Sequence, residues 1–328
     1  MNLLIVTNNP HRASFRLRIE VYLDTLRSNG IDCQVAQLPA GALARRRLFK
    51  QAADFDGVFL HRKILNLFDA FWLRRYSRKI LYDYDDALMY SDSKPERKDR
   101  SRQRRFRRSV ELSDLVISGN SYLAEHAQKF NPRVEVLPTG LDIKAYSSER
   151  RAENDGKIRL VWIGSKSTLK YLAEIKPALE EIGSRIDNAV LRIICDDFFD
   201  LQNMRVEKHQ WRKDTEAVDL IISDIGLAPL PDDRFTRGKC GFKILQYAAA
   251  GLPVIASPVG VNSEYVRDGV TGFHATNTSQ WVDRISKLIN DQSLRKQAGQ
   301  AGKSNVREFD TSVIGKRLVN LIVEFLEA

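Results

Sequence analysis

The sequence predicts an α/β protein of two Rossmann-like domains, each a doubly wound parallel sheet, facing each other across a cleft. Three observations carry this. Short apolar runs alternate with amphipathic stretches along the chain, as strand–helix repeats do. The alternation pauses once, over the polar, Pro- and Gly-containing stretch 138–156, and then restarts. Finally, a glycine-opened, lysine-bearing segment over 238–251 runs through Pro253 into the apolar stretch Val254 to Ser257. That order places an anion seat beside a parallel strand.

In chain order, Leu3 to Thr7 is an unbroken apolar run and reads as a buried parallel strand. A helix is expected from about Ser14 to Asn29, closed by Gly30. Strands follow at Ile31 to Leu38, Gly57 to Leu60 and Lys79 to Asp83, with a helix between the last two over Leu65 to Tyr76. Leu115 to Ser118 and Val134 to Leu137 complete the first series. After the linker come a strand at Ile158 to Ile163, a helix from Thr168 to about Ile186, and strands at Val190 to Cys195 and Ile225 to Pro229. Leu318 to Phe325 closes the chain as a helix. Ligands of such domains are expected at the carboxyl ends of the strands.

The chain has 328 residues, 43% of them hydrophobic, enough for two cores. No apolar run approaches a membrane span, and the first residues read as a strand, not a signal peptide. Cys33, Cys195 and Cys240 are odd in number and far apart, which fits reduced thiols in the cytoplasm and gives no metal spacing. The net charge of +10 is unevenly spread. Residues 1–150 hold 27 Lys+Arg against 18 Asp+Glu, the remainder 25 against 24. Nine of the basic residues lie between Lys94 and Arg108. Such a block points to an anionic partner: a membrane surface, a phosphorylated acceptor or nucleic acid.

The segment 238–251 carries most of the chemistry. Gly238 and Gly241 let backbone N–H groups approach a ligand, and a helix N-terminus favours an anion. Lys239 and Lys243 are four apart, so both can lie on one face near that end. The pattern reads as a diphosphate seat, or else as a buried helix with solvated lysines. Its wording, with Leu252-Pro-Val and the downstream run Val259 to Phe273, resembles the donor-site signature of family 4 glycosyltransferases, which have the GT-B fold. Aligned from Gly251 backwards, Gln246 stands where that family has a ribose-binding glutamate. Gly238 stands where it has a sugar-contacting one. Both acids are missing, so the chain resembles a divergent branch of the family. A Gln amide can still bond a diol, without the strength that charge adds.

The resemblance implies a nucleotide-sugar-binding domain over 146–311 and an acceptor-binding domain over 1–145, with the last helix, about 312–328, packing back on the first domain. In the donor half it places Gly241, Phe242, Gln246 and Glu264 at the nucleotide sugar, with Lys243 and Lys239 acting on the diphosphate. Gly164 and Lys170 match the family's phosphate loop, while Ser165 replaces an arginine there. In the acceptor half the candidates are Arg16, after the first strand, and His61 and Arg62, at the end of the third. The acid triplet Asp83, Asp85 and Asp86 follows the fourth, with Asp83 expected at the acceptor and Asp85 and Asp86 as catalytic candidates. Arg16 reads equally as part of a solvated helix face, and His61 as a structural histidine. The triplet reads either as a functional acid cluster or as a set of helix caps.

The resulting expectation is a glycosyltransferase. It would move a sugar from a UDP- or GDP-linked donor to a hydroxyl of a glycan or lipid-linked acceptor, with retention, in polysaccharide or glycolipid synthesis. No cofactor or metal is expected. The protein is expected in the cytoplasm, peripheral on the inner membrane face through an anionic surface bound by 94–108. The missing glutamates leave open a weakly active or inactive sugar-nucleotide binder. Nucleic-acid binding is a third reading, disfavoured because Phe106 is the only aromatic in the basic block.

Overall fold

The structure, a computed structural model, describes residues 1–147 and 155–327. Residues 148–154 of the predicted linker lie outside the described residues. The chain divides into two compact units. Unit 1 comprises Met1–Gly140, Asp233–Cys240 and Phe309–Ala328; unit 2 comprises Leu141–Asp232 and Gly241–Glu308.

Unit 1 is a six-stranded parallel sheet of β1 (Asn2–Thr7), β2 (Asp32–Gln37), β3 (Gly57–His61), β4 (Ile80–Tyr84), β5 (Leu115–Ser118) and β6 (Val134–Val136), in the order 2-1-3-4-5-6. Its first helices are α1 (Ala13–Arg18), α2 (Leu23–Ser28), α3 (Ala42–Gln51), α4 (Leu67–Tyr76), α5 (Arg100–Glu111) and α6 (Ser121–Gln128). The central strands are apolar on both faces because helices cover both. Leu4, Val6, Leu60 and Tyr82 pack with Phe49 and Phe106, whereas Leu3, Ile5, Phe59 and Leu81 face the opposite way. The period-2 alternation of strand side chains thus feeds two separate cores. The helix predicted from Ser14 to Asn29 is broken, because Ile19 leaves helical dihedrals and a short 3₁₀ turn, Glu20–Tyr22, intervenes.

Unit 2 repeats the plan with β7 (Ile158–Ile163), β8 (Ala189–Cys195), β9 (Arg205–Gln210), β10 (Ile225–Ala228), β11 (Val254–Ala256) and β12 (Gly272–His274), ordered 12-11-10-7-8-9. The order reverses between β7 and β10, the switch point at which doubly wound sheets bind ligands. Its helices are α7 (Leu169–Ala173), α8 (Lys176–Arg185), α9 (Glu216–Ile221), α10 (Phe242–Ala249), α11 (Asn262–Tyr265), α12 (Thr278–Asn290) and α13 (Gln292–Asn305). The single helix expected from Thr168 to Ile186 is two, since Pro177 occupies the first turn of α8. Arg159 and Arg192, both buried in central strands, share the Glu207 carboxylate of the edge strand β9, at 3.1 and 3.0 Å.

The last helix, α14 (Thr311–Glu327), returns to unit 1. Its Ile314, Leu318, Ile322 and Phe325 join Leu3, Ile5 and Ile117 in one core. Lys79 fastens its end by donating to the Leu326 carbonyl at 2.8 Å. Among the described residues no helix is long and apolar enough to cross a membrane.

Candidate functional site

In unit 1 the predicted residues collect at the carboxyl ends of β1, β3 and β4. Thr7, His61 and Asp83 lie side by side in register across these strands. Asp83, expected at the acceptor, is buried and paired within unit 1. It is 2% exposed and holds Arg18, itself 4% exposed, through two nitrogens of the guanidinium. Arg18 also donates to the Leu137 carbonyl at 2.6 Å. Burial opposes its charge, but Asp83 outweighs burial and raises its pKa. Sequence reasoning had singled out Arg16, two residues earlier; the helix carries Arg18 inward, while Arg16 stays half-buried.

His61 is likewise buried, at 2% exposure, with Nδ1 3.0 Å from Thr7 Oγ1 and its ring edge-on to Phe15. It packs as a core histidine does, the structural alternative that its place at the end of the third strand left open. Burial pushes its pKa down to about 4, against the partial upward pull of Asp83 and Asp85. The unfolded chain therefore takes up a proton near pH 6.5 that the folded chain refuses until about pH 4. The stability from neutral His61 should be full above pH 6.5 and be lost as the pH falls toward 4, by about 3 kcal/mol. Urea titrations across that range should show a shallower acid decline in His61→Gln than in the wild type. Parallel declines would refute the assignment.

Arg62 adopts a left-handed backbone, φ 53°, the only non-glycine to do so among the described residues. Its N–H donates to the Asp83 carbonyl at 2.7 Å. Its guanidinium pairs with Asp85 at 2.6 Å and with Asp86. Lys239 approaches Asp86 from the other side at 3.4 Å. None of the three acids caps a helix; α5 is capped by Asp99. Asp85 is nearly buried under Gly119, where an added Cβ would sit 3.0 Å from the Asp85 Cα. Asp86 is the more accessible carboxylate of the cluster.

Lys239 also corrects the expected lysine pair. It belongs to unit 1, before α10 begins, rather than to one helix face with Lys243. Asn120 fixes it there: its side chain caps α6 and donates to the Lys239 carbonyl at 3.2 Å. Tyr122 donates to the Arg234 carbonyl at 3.0 Å. Gly238 explains one missing acid. A Cβ there would lie 2.8 Å from the Ala87 Cβ and 3.0 Å from the Ala87 nitrogen. Gly238→Glu should therefore lower stability by about 1–3 kcal/mol instead of restoring a sugar contact. An unchanged denaturation midpoint would show that the segment yields.

In unit 2 the predicted residues gather around the end of β7. Gly164 lies against the Trp162 indole; a Cβ there would be 2.3 Å from the ring. Lys243 Nζ sits over the same ring, 4.3 Å from its centroid. Ser165 opens a 3₁₀ turn, its N–H donating to Thr168 Oγ1 at 3.1 Å, and exposed Lys170 follows on α7. Gly241, φ 64°, starts α10 without a side-chain cap, and Val261 and Tyr265 leave no room for a Cβ. No acid lies in the first turn of α10, which begins with Phe242 and Lys243, so that turn itself supplies no negative charge to its positive end. Tyr247 seats the helix by accepting from the Ile163 N–H and donating to the Leu227 carbonyl, both at 3.1 Å. Glu264 is exposed on α11.

Gln246, expected at the nucleotide, is buried on α10. It is 5% exposed and its amide donates to the Tyr146 hydroxyl at 3.2 Å, so its hydrogen bonding is directed inward. Sequence reasoning missed Trp162 and Tyr146. The first stood in an apolar run, and the second lies a hundred residues from its partner. A cavity of ≈ 340 Å³ opens at the ends of β10 and β11, lined by Pro229, Leu230, Ser257, Thr276 and Trp281. None of the residues expected at the donor lines it. Among the described residues no cluster of His, Cys, Asp or Glu could hold a metal ion.

Two parallel six-stranded sheets with flanking helices, and a glycine-led helix with a lysine in its first turn in unit 2, define a GT-B α/β protein. Residues 143–305 match the sequence model of Glycosyl transferases group 1, and the chain belongs to that family. It is 28% identical over 232 residues to a GDP-mannose-dependent alpha-(1-6)-phosphatidylinositol monomannoside mannosyltransferase of Mycobacterium tuberculosis, covering 60% of this chain and 58% of that one. It is 21% identical over 223 residues to an N-acetyl-alpha-D-glucosaminyl L-malate synthase of Bacillus anthracis, covering 62% and 57%. The chain thus spans somewhat over half the length of these two curated relatives. Anabaena HepE, solved in complex with UDP and glucose, superposes with a TM-score of 0.75 at 17% identity over 99% of this chain and 100% of that one. A sucrose-phosphate synthase of Thermosynechococcus elongatus gives 0.79 at 14% identity, over 99% of both chains.

Proposed function

We propose that the protein transfers a sugar from a nucleotide-diphosphate donor to a hydroxyl, with retention of configuration. The observation that carries this is the uncapped start of α10, with Lys243 in its first turn, beside the loop that follows β7. The β7–β10 switch point supports a nucleotide there, and the family match covers the same unit. As the glycosidic bond breaks, the leaving diphosphate gains negative charge. Lys243 and the helix N–H groups stabilise that charge in place, so they favour the transition state over the ground state. In this scheme these groups, with Lys170, replace a metal.

The two curated relatives are named for a phosphatidylinositol monomannoside and for an N-acetylglucosaminyl L-malate. The first supports an acceptor of lipid or glycan character drawn from cell-surface polysaccharide or glycolipid synthesis. The charge of α5 supports a peripheral place on an anionic membrane face. Not all of its basic run is solvated: Arg102 donates to the Leu88 carbonyl and Arg108 to the Leu65 carbonyl, at 3.2 and 3.0 Å. The exposed part is Lys94, Arg97, Lys98, Arg100, Arg104, Arg105 and Arg107.

A second reading, a sugar-nucleotide binder without transfer, is favoured by the inward-turned Gln246 and the glycine at 238. The donor reading is tested first. Lys243→Ala should weaken nucleoside diphosphate binding by about 1.5–3 kcal/mol while leaving the bare nucleoside nearly unaffected. Equal losses for both ligands in calorimetry would take Lys243 off the phosphates.

A further inference from the structure

One edge of unit 1 is unlike the rest of its surface. Among the described residues, five large apolar side chains are more than half exposed: Leu43 (73%), Leu67 (69%), Phe68 (73%), Phe71 (58%) and Val218 (52%). The first four all belong to α3 and α4, which pack on each other. Arg45 on α3 pairs with Asp69 on α4 at 2.8 Å, and Arg46 lies 4.1 Å over the Trp72 ring. Folding turns the second apolar face of α4 outward; its inward face is already supplied by Ala70 and Leu73. Scattered exposed apolar residues need no explanation, but a cluster with two phenylalanines does.

The rim of this cluster is basic. Arg46, Arg47 and Lys50 are exposed along α3. Lys63, in the loop before α4, is crowded by further cations. Burial first, then Arg45 and Arg105, lower its pKa, and Asp69 is the acid that answers them. The same loop is bound to α5, where the Ser109 hydroxyl donates to the Lys63 carbonyl and accepts from the Leu65 N–H, at 3.1 and 2.8 Å. Exposed Arg105 on α5, close enough to Lys63 to act on its charge, therefore continues the rim.

We propose that the α3–α4 edge seats the protein on an anionic phospholipid bilayer, with Leu43, Leu67, Phe68 and Phe71 among the acyl chains and the surrounding arginines and lysines on lipid phosphates. This deepens the membrane part of the proposed function and rests on that reading, while adding an apolar anchor that the charge of α5 does not supply. Charge selects the occupant. A second copy would bring Arg46, Arg47 and Lys50 against their own equivalents, because a two-fold interface matches a patch with itself. A bilayer supplies both an apolar interior and the opposite charge.

The test is co-sedimentation of the full chain with vesicles of equimolar phosphatidylglycerol and phosphatidylcholine, beside vesicles of phosphatidylcholine alone. The wild type should bind the first and not the second. Phe68→Ser/Phe71→Ser should lose roughly tenfold or more of its partitioning, since two large side chains no longer leave water. Its melting temperature should hold, because both rings are mostly exposed. Undiminished binding by that variant would overturn the proposal. So would wild-type self-association, seen by light scattering and abolished by the same variant, without vesicle binding. Arg97→Gln/Lys98→Gln/Arg100→Gln separates the two membrane readings. If only this variant loses binding, the basic run that leads into α5 is the attachment and the apolar edge is not. Lys243→Ala should bind vesicles normally, so failure of the donor reading leaves this result distinct.

Discussion

Arg18→Met should destabilise unit 1 by about 3–5 kcal/mol, a large fraction of the 5–15 kcal/mol that holds a typical domain. The change removes the cation and leaves the Asp83 carboxylate buried in β4 between β3 and β5, with its main partner gone. The Leu137 carbonyl loses its donor as well. Removing both charges is a different experiment. Arg18→Met/Asp83→Leu places apolar groups in the same volume and should recover much of the loss, because the desolvation of both ions disappears with them. Urea denaturation of the two single variants and the double closes the cycle. A loss below about 1 kcal/mol in the single variant would mean that the pair behaves as an exposed one.

Asp86→Asn should lower transfer by about 10²–10³ while nucleotide affinity stays close to that of the wild type. Asp86 is the accessible acid of the cluster, gripped by Arg62 on one side and Lys239 on the other. Two cations around one carboxylate fix its position in advance, and a fixed charge is what a developing positive centre requires. Asparagine preserves the shape and hydrogen-bonding reach but removes the charge. Asp85→Asn is the less clean probe, since its carboxylate is nearly buried and its loss costs stability too. Turnover and donor affinity measured side by side decide the matter. Undiminished transfer by Asp86→Asn would remove the acid cluster from the chemistry, and absence of transfer in the wild type would favour the binder.

The fold was legible where burial leaves a plain signature. Leu115 to Ser118 and Ile158 to Ile163 fall on strands with the same bounds, because unbroken apolar runs of that length have few other uses in a parallel sheet. The edge strand β9 was not seen. Its residues, Arg205–Gln210, are polar, since an edge strand with one face in water has no apolar run to show. At the sites, single residues were harder to place than segments. Arg16 and Arg18 differ by two positions, and the sequence does not say which one a six-residue helix turns inward. Lys239 and Lys243 share a motif in the sequence but fall in different units. Gly238 was legible as an absent acid, yet the reason lies in Ala87 and Leu123, far away along the chain.

The three-part make-up of unit 1 bears on how the protein is made. Chains emerge from the ribosome from their N-terminus, and domains tend to fold in that order. Unit 1 cannot follow the rule, for part of its core is α14, synthesised after all of unit 2. Until Ile314, Leu318, Ile322 and Phe325 arrive, the face formed by Leu3, Ile5, Phe59 and Ile117 is covered only in part, by Phe15, Ile19, Tyr22 and Leu26. The first domain begun is therefore the last completed. A nascent chain stalled within unit 2 exposes a sheet surface that chaperones would have to shield.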